Sequence, residues 1–293
     1  MKYKATEQIL KIIKNKENIR NFGVIAHVDH GKTTMSDNLL GYAGIISPQA
    51  AGRALALDSM KLEQDRQMTI VQANVTLLFE KGDKEYVVNM IDTPGHIDFT
   101  GRVTRSLRAI DGAVVVSDSV EGIMTQTETV TRQALEERVR PVLYINKIDR
   151  LIKELRLTPD KMQEWLANIV STFNGLIDTY AEPEYKEKWK VSIQDGSVSF
   201  GSAKDRWGFN IDVMKEKGIS FKDIYAAYQD GANVDDLAKK APLAEAVLGM
   251  VVKHHPPPHV AQKYRIPKIW KGDLESDIGK AILNCDDNGP AVM

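Results

Sequence analysis

The sequence has almost no cysteine, since Cys285 is the single one among 293 residues. One thiol cannot form an internal disulfide framework, and this scarcity is typical of proteins in a reducing compartment. No apolar run is long enough to span a membrane, and the first residues carry no signal peptide pattern. The sequence therefore predicts a cytoplasmic protein without a membrane partner.

An excess of charge of either sign is also missing, because the sequence has 39 lysines and arginines and 40 aspartates and glutamates. No global field indicates a nucleic-acid partner, although a local basic patch could still bind RNA. Residues 1–20 are mildly basic, and their isoleucines and leucine recur at roughly helical spacing. We expect this segment to form an amphipathic helix packed on the core rather than a dedicated RNA-binding arm.

Short apolar runs alternate with helical patterns between residues 20 and 150, which predicts an α/β fold. We expect strands at 21–26, 112–118, 141–147 and 197–203, a β-hairpin at 74–92, and helices from residue 31 and over 125–139. The expected sheet is mostly parallel but mixed, and helices flank it. Ligands of such sheets bind at the carboxyl ends of the strands, so each loop that follows a strand is a candidate site.

The segment AHVDHGKTT, residues 26–34, follows the first strand and has the form A-x-x-x-x-G-K-T. In a phosphate loop, backbone amides and the following helix N-terminus bind the phosphates. Gly31 would allow a close approach, Lys32 would reach the β- and γ-phosphates, and the Thr33 hydroxyl would ligate magnesium. Alanine stands where the pattern has glycine. The alternative is an ordinary helix start, although lysine is unfavourable there unless an anion binds.

The segment DTPGH, residues 92–96, follows the strand of the hairpin that ends at 92. Asp92 could hold magnesium through a water molecule, as the second metal-site carboxylate of a P-loop enzyme does. The amide of Gly95 could reach a γ-phosphate, and His96 could orient a water molecule. We interpret this loop as the second part of a nucleotide site.

Two further loops predict recognition of guanine, namely NKID at 146–149 and GSAK at 201–204. The Asp149 carboxylate could accept from the ring N–H and the exocyclic amine of guanine, a donor pair that adenine lacks. Asn146 could brace the loop, the Lys147 stem could cover the base, and the Ala203 amide could meet the guanine oxygen. Four such loops in order at strand ends make a phosphate loop the preferred interpretation of residues 26–34.

With these motifs the sequence resembles the translational GTPases, in which alanine at the first phosphate-loop position is usual. The stretches that carry the resemblance are 18–40, 91–130 and 140–155, and they are similar to the archaeal and eukaryotic branch that moves tRNA and mRNA through the ribosome. The stretches 200–210 and 242–273 are similar to the archaeal form. The resemblance covers essentially all of the chain. It implies a P-loop GTPase fold, GTP and GDP as ligands, Mg²⁺ as cofactor, and ribosome-stimulated GTP hydrolysis.

The resemblance also implies roles for individual residues. Residues 66–70, RQMTI, match switch I, in which Thr69 would bind magnesium and sense the γ-phosphate. His96 would position the attacking water between the apolar side chains of Val28 and Met68, and Asp29 would help to hold a monovalent cation, K⁺ or Na⁺. Gln67 and Met68 replace the family's glycine and isoleucine, so the switch I path is expected to differ locally. The implied nucleotide contacts are Ala26, His27, Val28, Asp29, His30, Gly31, Lys32, Thr33, Thr34, Asp92, Thr93, Pro94, Gly95, His96, Asn146, Lys147, Ile148, Asp149, Ser202, Ala203 and Lys204.

The chain is expected to divide into an N-terminal helix (1–20), a GTP-binding domain (21–260) and a last segment (261–293). A helical insertion at about 150–195, shorter than in bacterial relatives, interrupts the GTP-binding domain. The proline run HHPPPHV, residues 254–260, should end the helix over 242–255, and short turn-rich segments should follow. The last segment would then be a linker and the truncated start of a β-barrel domain.

The partners implied by the resemblance are the rRNA of the large ribosomal subunit and the ribosomal stalk proteins, with tRNA and mRNA as indirect partners of a monomer. Two alternatives stay open: a P-loop ATPase or kinase, and the GTP-binding domain of a ribosome-assembly or recycling relative. Metal binding by His254, His255 and His259 is a weaker alternative, because their proline-rich context is more typical of a surface helix end.

Overall fold

The computed structural model describes residues 2–47, 73–93, 100–228 and 233–289, and seven strands within these ranges form one sheet. The strands are β1 (Ile19–Ala26), β2 (Ala73–Lys81), β3 (Lys84–Asp92), β4 (Gly112–Asp118), β5 (Arg140–Asn146), β6 (Val198–Ser202) and β7 (Trp207–Phe209). Their order is β2-β3-β1-β4-β5-β6-β7, with antiparallel pairs at both edges and parallel pairs between. The predicted α/β class, the hairpin and the mixed sheet are confirmed.

Helices cover both faces of the sheet. In chain order they are α1 (Lys2–Ile12), α2 (Lys32–Tyr42), α3 (Thr100–Arg108), α4 (Thr125–Glu136), α5 (Ile148–Lys153), α6 (Pro159–Tyr180), α7 (Lys186–Trp189), α8 (Ile211–Lys217), α9 (Phe221–Ala226), α10 (Val234–Lys240), α11 (Leu243–His254), α12 (Pro258–Ile269) and α13 (Asp277–Asn284). The predicted helices at 1–20, 31, 125–139, 150–195 and 242–255 are present. Strand β7 and helices α8 to α10 were not predicted. None of the described helices is long and apolar enough to cross a membrane.

Strand β4 shows why these residues form a central strand. Every residue from Gly112 to Asp118 is buried, as is typical of parallel strands covered on both faces. Alternate side chains enter different cores. Val114 and Val116 pack with α2 and α11, whereas Ala113 and Val115 pack with α3, α4 and α6.

The register of the parallel strands brings their carboxyl ends to one edge. Val24 of β1 is paired with Asp92 of β3, and Asp118 of β4 with Asn146 of β5. The loops that follow β1, β3, β4 and β5 therefore start side by side, which is the arrangement that a ligand site at the strand ends needs.

Residues 256–289 differ from the expected turn-rich segments. Pro257 and Pro258 begin helix α12, because the first turn of a helix does not need the N–H that proline lacks. Helix α13 follows, with Ser276 as its N-cap, and Lys16 bonds to the carbonyl of Cys285 near its end. The expectation of short turn-rich segments is wrong for the described part of 261–293, which is largely helical, while the division into domains, including the start of a β-barrel domain, stays a prediction.

Candidate nucleotide site

The loop between β1 and α2 has the backbone of a tight anion cradle. Asp29 and Gly31 both have left-handed φ angles, of 64° and 88°. A Cβ atom at Gly31 would lie 2.3 Å from Nδ2 of Asn146, so the position accepts only glycine. Helix α2 begins with Lys32 and has no acidic residue in its first turn. The helix N-terminus therefore presents positive charge to the loop, as anion binding requires.

The end of β3 lies beside the phosphate loop. Nζ of Lys32 is 2.8 Å from Oδ1 of Asp92, and both side chains are buried. The Thr93 hydroxyl donates to the Val24 carbonyl at 2.6 Å, which fixes the start of the next loop against β1. The structure thus brings together the first two predicted parts of the site.

Several predicted residues of the phosphate end lie outside the described ranges. These are Gln67, Met68, Thr69, Pro94, Gly95 and His96. The roles of Thr69 as a magnesium ligand and of His96 as the residue that positions water stay predictions.

Asn146 joins three loops of the site. Its side chain is buried, its Nδ2 donates to the His30 carbonyl at 2.8 Å, and its Oδ1 accepts from the Ala203 amide at 2.9 Å. Asn38 of α2 donates to the Ala203 carbonyl at 2.9 Å. The predicted brace is therefore present. However, the Ala203 N–H, which we expected to meet a guanine oxygen, already has an internal acceptor.

Asp149 lies in the first turn of α5 and is 7% exposed. Its Oδ1 is buried and has no hydrogen-bond partner among the described residues. Burial raises the pKa of this carboxyl, and the bond with Ser202 opposes the shift. A buried acceptor without a donor is costly unless a ligand supplies one, so Oδ1 of Asp149 is a candidate ligand-binding atom.

The other predicted residues fall into three environments. Asp29 and Lys204 are exposed, whereas His27, Val28, Thr33, Thr34 and Lys147 are half-buried at the rim. Ala26, Ile148 and Ser202 are buried, and Ile148 belongs to the hydrophobic core. The structure gives Ile148 a packing role.

Asp118 and His30 form a connection that sequence reasoning missed. The Asp118 N–H donates to Nδ1 of His30 at 3.2 Å, so the ring proton lies on Nε2, which is 3.1 Å from a Glu121 carboxylate oxygen. Burial and the neighbouring His27 lower the pKa of His30, which is therefore neutral at pH 7. The one available signal was that Asp118, like Asp92, ends an apolar strand.

The three histidines near residue 255 do not form a metal site. His254 Nε2 bonds to the Asp195 carbonyl at 3.1 Å, His255 is buried beside Phe22, and His259 pairs with Glu17 at 2.9 Å. No cluster of three potential ligands occurs within the described ranges. The predicted surface helix end is also wrong for the first two histidines, which are buried.

Comparisons with known proteins agree with this geometry. The family described as Elongation factor Tu GTP binding domain matches residues 17–257. The chain belongs to this family of translational GTPases. Membership favours a guanine nucleotide at the site over the alternative of a P-loop ATPase or kinase.

Relatives of this translational GTPase are proteins named elongation factor 2. The protein from Cenarchaeum symbiosum is 75% identical over 293 residues, and those from Metallosphaera sedula and Sulfurisphaera tokodaii are 58% and 57% identical over 294 residues. Each comparison covers 100% of this chain and 40% of the relative. The chain therefore spans two fifths of the length of these relatives.

Proposed function

We propose that this chain is the GTP-binding and GTP-hydrolysing domain of an elongation factor 2, whose complete form promotes translocation of tRNA and mRNA on the ribosome. The observation that carries the nucleotide assignment is the buried, unpartnered Oδ1 of Asp149. The ring N–H and the exocyclic amine of guanine are donors suited to this carboxylate. Adenine lacks the pair, so binding ATP would leave a buried carboxylate unsatisfied.

The phosphates would bind at the N-terminus of α2. Gly31 lets them approach the backbone, and Lys32 supplies the positive charge. Magnesium, when bound, would withdraw charge from the phosphate oxygens. Its ligands would be the hydroxyls of Thr33 and Thr69, with Asp92 acting through water. Thr33 follows Lys32 directly, and Asp92 contacts Lys32, so these described groups lie near one another. Asp29 would help to hold K⁺ or Na⁺.

In the proposed reaction, water attacks the γ-phosphorus of GTP, and the bond from that phosphorus to the bridging oxygen breaks to give GDP and phosphate. Lys32 and the loop amides would stabilise the charge that spreads over the phosphate oxygens. His96 would orient the water, with Val28 and Met68 at its sides.

The proposed partners are the large-subunit rRNA and the stalk proteins of the ribosome, for a monomeric cytoplasmic factor. The rRNA would help to set His96, so we expect slow turnover by the isolated chain. Loss of the γ-phosphate would release switch I, and this change would let the complete factor leave the ribosome.

Steady-state hydrolysis of GTP and ATP, with and without archaeal ribosomes, tests the proposal. We expect turnover of GTP only. Stimulation by ribosomes would show that this domain docks by itself, whereas slow GTP turnover that ignores ribosomes would assign docking to other parts of the factor. Equal use of ATP would contradict the proposed guanine site. If His96→Ala matched the wild type in the presence of ribosomes, the role of His96 would be wrong.

Replacement of Asp149 provides a sharper test of base recognition. In Asp149→Asn, the new amide would donate to a base oxygen instead of accepting from the guanine amine. We expect at least a tenfold change in preference from GDP to xanthosine diphosphate, since a polar site rejects a mismatched partner strongly. An unchanged preference, measured by titration calorimetry, would show that Asp149 does not read the base.

A further inference from the structure

The carboxylate of Asp118 is wholly buried at the carboxyl end of β4, next to the candidate site. Its Oδ2 accepts from Nζ of Lys147 at 2.8 Å and from Nη1 of Arg150 at 2.9 Å. Its Oδ1 accepts from the Val120 amide at 2.7 Å. Burial raises the pKa of Asp118, but the bonds from Lys147 and Val120 outweigh this effect, and the pKa is lowered overall. Asp118 is therefore charged at neutral pH.

Lys147 is held at both ends by the segment 118–119. Its backbone is left-handed, with φ of 61°, a conformation that residues with side chains rarely adopt. The hydroxyl of Ser119 donates to the Lys147 carbonyl at 2.8 Å, and Asp118 holds the ammonium group. The four-carbon stem between these anchors is consequently restricted in the conformations that it can take.

The same segment also contacts the phosphate end of the site. The Asp118 N–H donates to Nδ1 of His30, and the Ser119 N–H donates to the Asn146 carbonyl at 2.9 Å. Asn146 in turn donates to the His30 carbonyl. Asp118 thus lies behind the loops that hold the two ends of the nucleotide.

We propose that Asp118 is a positioning residue for guanine binding, which holds the ammonium group of Lys147 so that the lysine stem is fixed along the face of the base. Asp118 itself does not touch the nucleotide. The inference rests on the proposed function. A lysine stem can cover an apolar surface while its charged end is held elsewhere. Because the stem is ordered before binding, less rotamer entropy is lost when the base arrives.

The alternative is a purely structural role, in which Asp118 closes the loop 118–121 and neutralises Arg150. The two roles differ in which partner matters for affinity. If Asp118 acts through Lys147, removing the ammonium group should have the same effect as removing the carboxylate charge. Loss of Arg150 should then have little effect on nucleotide affinity, because its side chain is not part of the base site.

A double-mutant cycle on the whole chain separates the two roles. Asp118→Asn keeps the shape and the acceptor for the Val120 amide, and Lys147→Met keeps the apolar stem without its anchored end. We expect each variant to weaken GDP binding about tenfold and the double variant no more than the single ones. Arg150→Met is the matched control, with an expected change below twofold. Calorimetric titration gives the affinities, and the melting temperature without nucleotide reports folding.

The ratio of the affinities for GDP and inosine diphosphate separates loss of the lysine anchor from damage to the loop that carries Asp149, because only the latter would change this ratio. The base of inosine diphosphate has a ring face like that of guanine but lacks the exocyclic amine, so Asp118→Asn should weaken GDP and inosine diphosphate by the same factor. Additive effects in the cycle, a GDP affinity within twofold of wild type for Asp118→Asn, or a changed ratio between the two ligands would overturn the proposal. Failure of the wild type to bind GDP would instead overturn the proposed function beneath it.

Discussion

At the scale of the residue, Gly31 shows how closely the phosphate loop and the base loop are packed. In Gly31→Ala the new methyl group would meet the Asn146 amide and would also require alanine at a φ of 88°. Strain and loss of the brace should together cost roughly 2 kcal/mol, or about a thirtyfold loss of GDP affinity. Titration calorimetry with GDP measures this loss.

Gly44 provides the matched control for this prediction. Its φ is 70°, but no heavy atom lies within 4 Å of the position of an added Cβ. Backbone strain in Gly44→Ala should therefore lower the stability of the protein, whereas the GDP affinity should stay unchanged. Equal losses of affinity in the two variants would mean that strain, and not the contact with Asn146, explains the effect.

The place of a residue in the site could be predicted from the sequence where a short motif defines it. Gly31, Lys32, Asp92 and Asn146 each occupy a fixed place in a short motif at or just after the end of a strand, and the structure brings them together. Asp118 could not be assigned because its partners Lys147 and Arg150 lie beyond the next strand, at the start of α5. Only the strand register makes them neighbours.

At the scale of the element, Arg265 of helix α12 holds the ends of two other helices. Its guanidinium donates to the carbonyls of Leu107, at the end of α3, and Glu137, just after α4, at 2.8 and 3.3 Å. It also pairs with the buried Asp111 at 3.1 Å. Carbonyls at helix ends lack partners within the helix, and one buried cation here satisfies several of them.

We expect Arg265→Met to destabilise the protein by about 3–5 kcal/mol, because it leaves Asp111 buried without its cation. Urea unfolding followed by circular dichroism measures the free energy of unfolding. Lys263→Met, an exposed position on the same helix, is the control and should change stability by less than about 0.5 kcal/mol. If the two variants behaved alike, α12 would not hold the ends of α3 and α4.

Helix α12 is also an element that the sequence did not predict, since short turns were expected after the proline run. The proline run after α11 is consistent both with a stop signal and with the first turn of a new helix, because proline is tolerated in that turn. Contacts of Arg265 with Leu107 and Glu137 favour the helix, and such distant contacts cannot be read from local spacing. The central strands were predictable because their apolar runs between turn residues need no distant information.

At the scale of the whole molecule, three buried histidines couple folding to pH. His30 contacts the site, while His254 is the last residue of α11 and His255 follows it, with its ring beside Gly112 at the start of β4. Burial lowers the pKa of all three, and that of His255 falls well below its ordinary value through burial and the charges of Arg140, His254 and Arg20. The fold therefore keeps these rings neutral.

These lowered pKa values determine whether stability rises or falls with pH. Below a pH of about 6.5 the unfolded chain takes up protons on these histidines, whereas the folded chain does not until a lower pH. Stability should consequently fall as the pH drops. The fully buried His255 contributes a loss of about 1.4 kcal/mol between pH 7.5 and 5.5, and the lowered pKa values of His30 and His254 act in the same direction.

His255→Met, a change of similar volume, should remove one of these contributions. The His255 ring fills the space beside Gly112. A Cβ atom added at Gly112 would lie 2.2 Å from this ring, so the substitution at 255 must keep a side chain of about the same volume. We expect the variant to lose about 1.4 kcal/mol less than the wild type between pH 7.5 and 5.5 in urea unfolding experiments. The measurement at pH 7.5 is the internal control, since the ring is neutral there in both states. An equal loss in the two proteins would show that His255 takes up a proton in the folded state, and that its burial does not exclude charge.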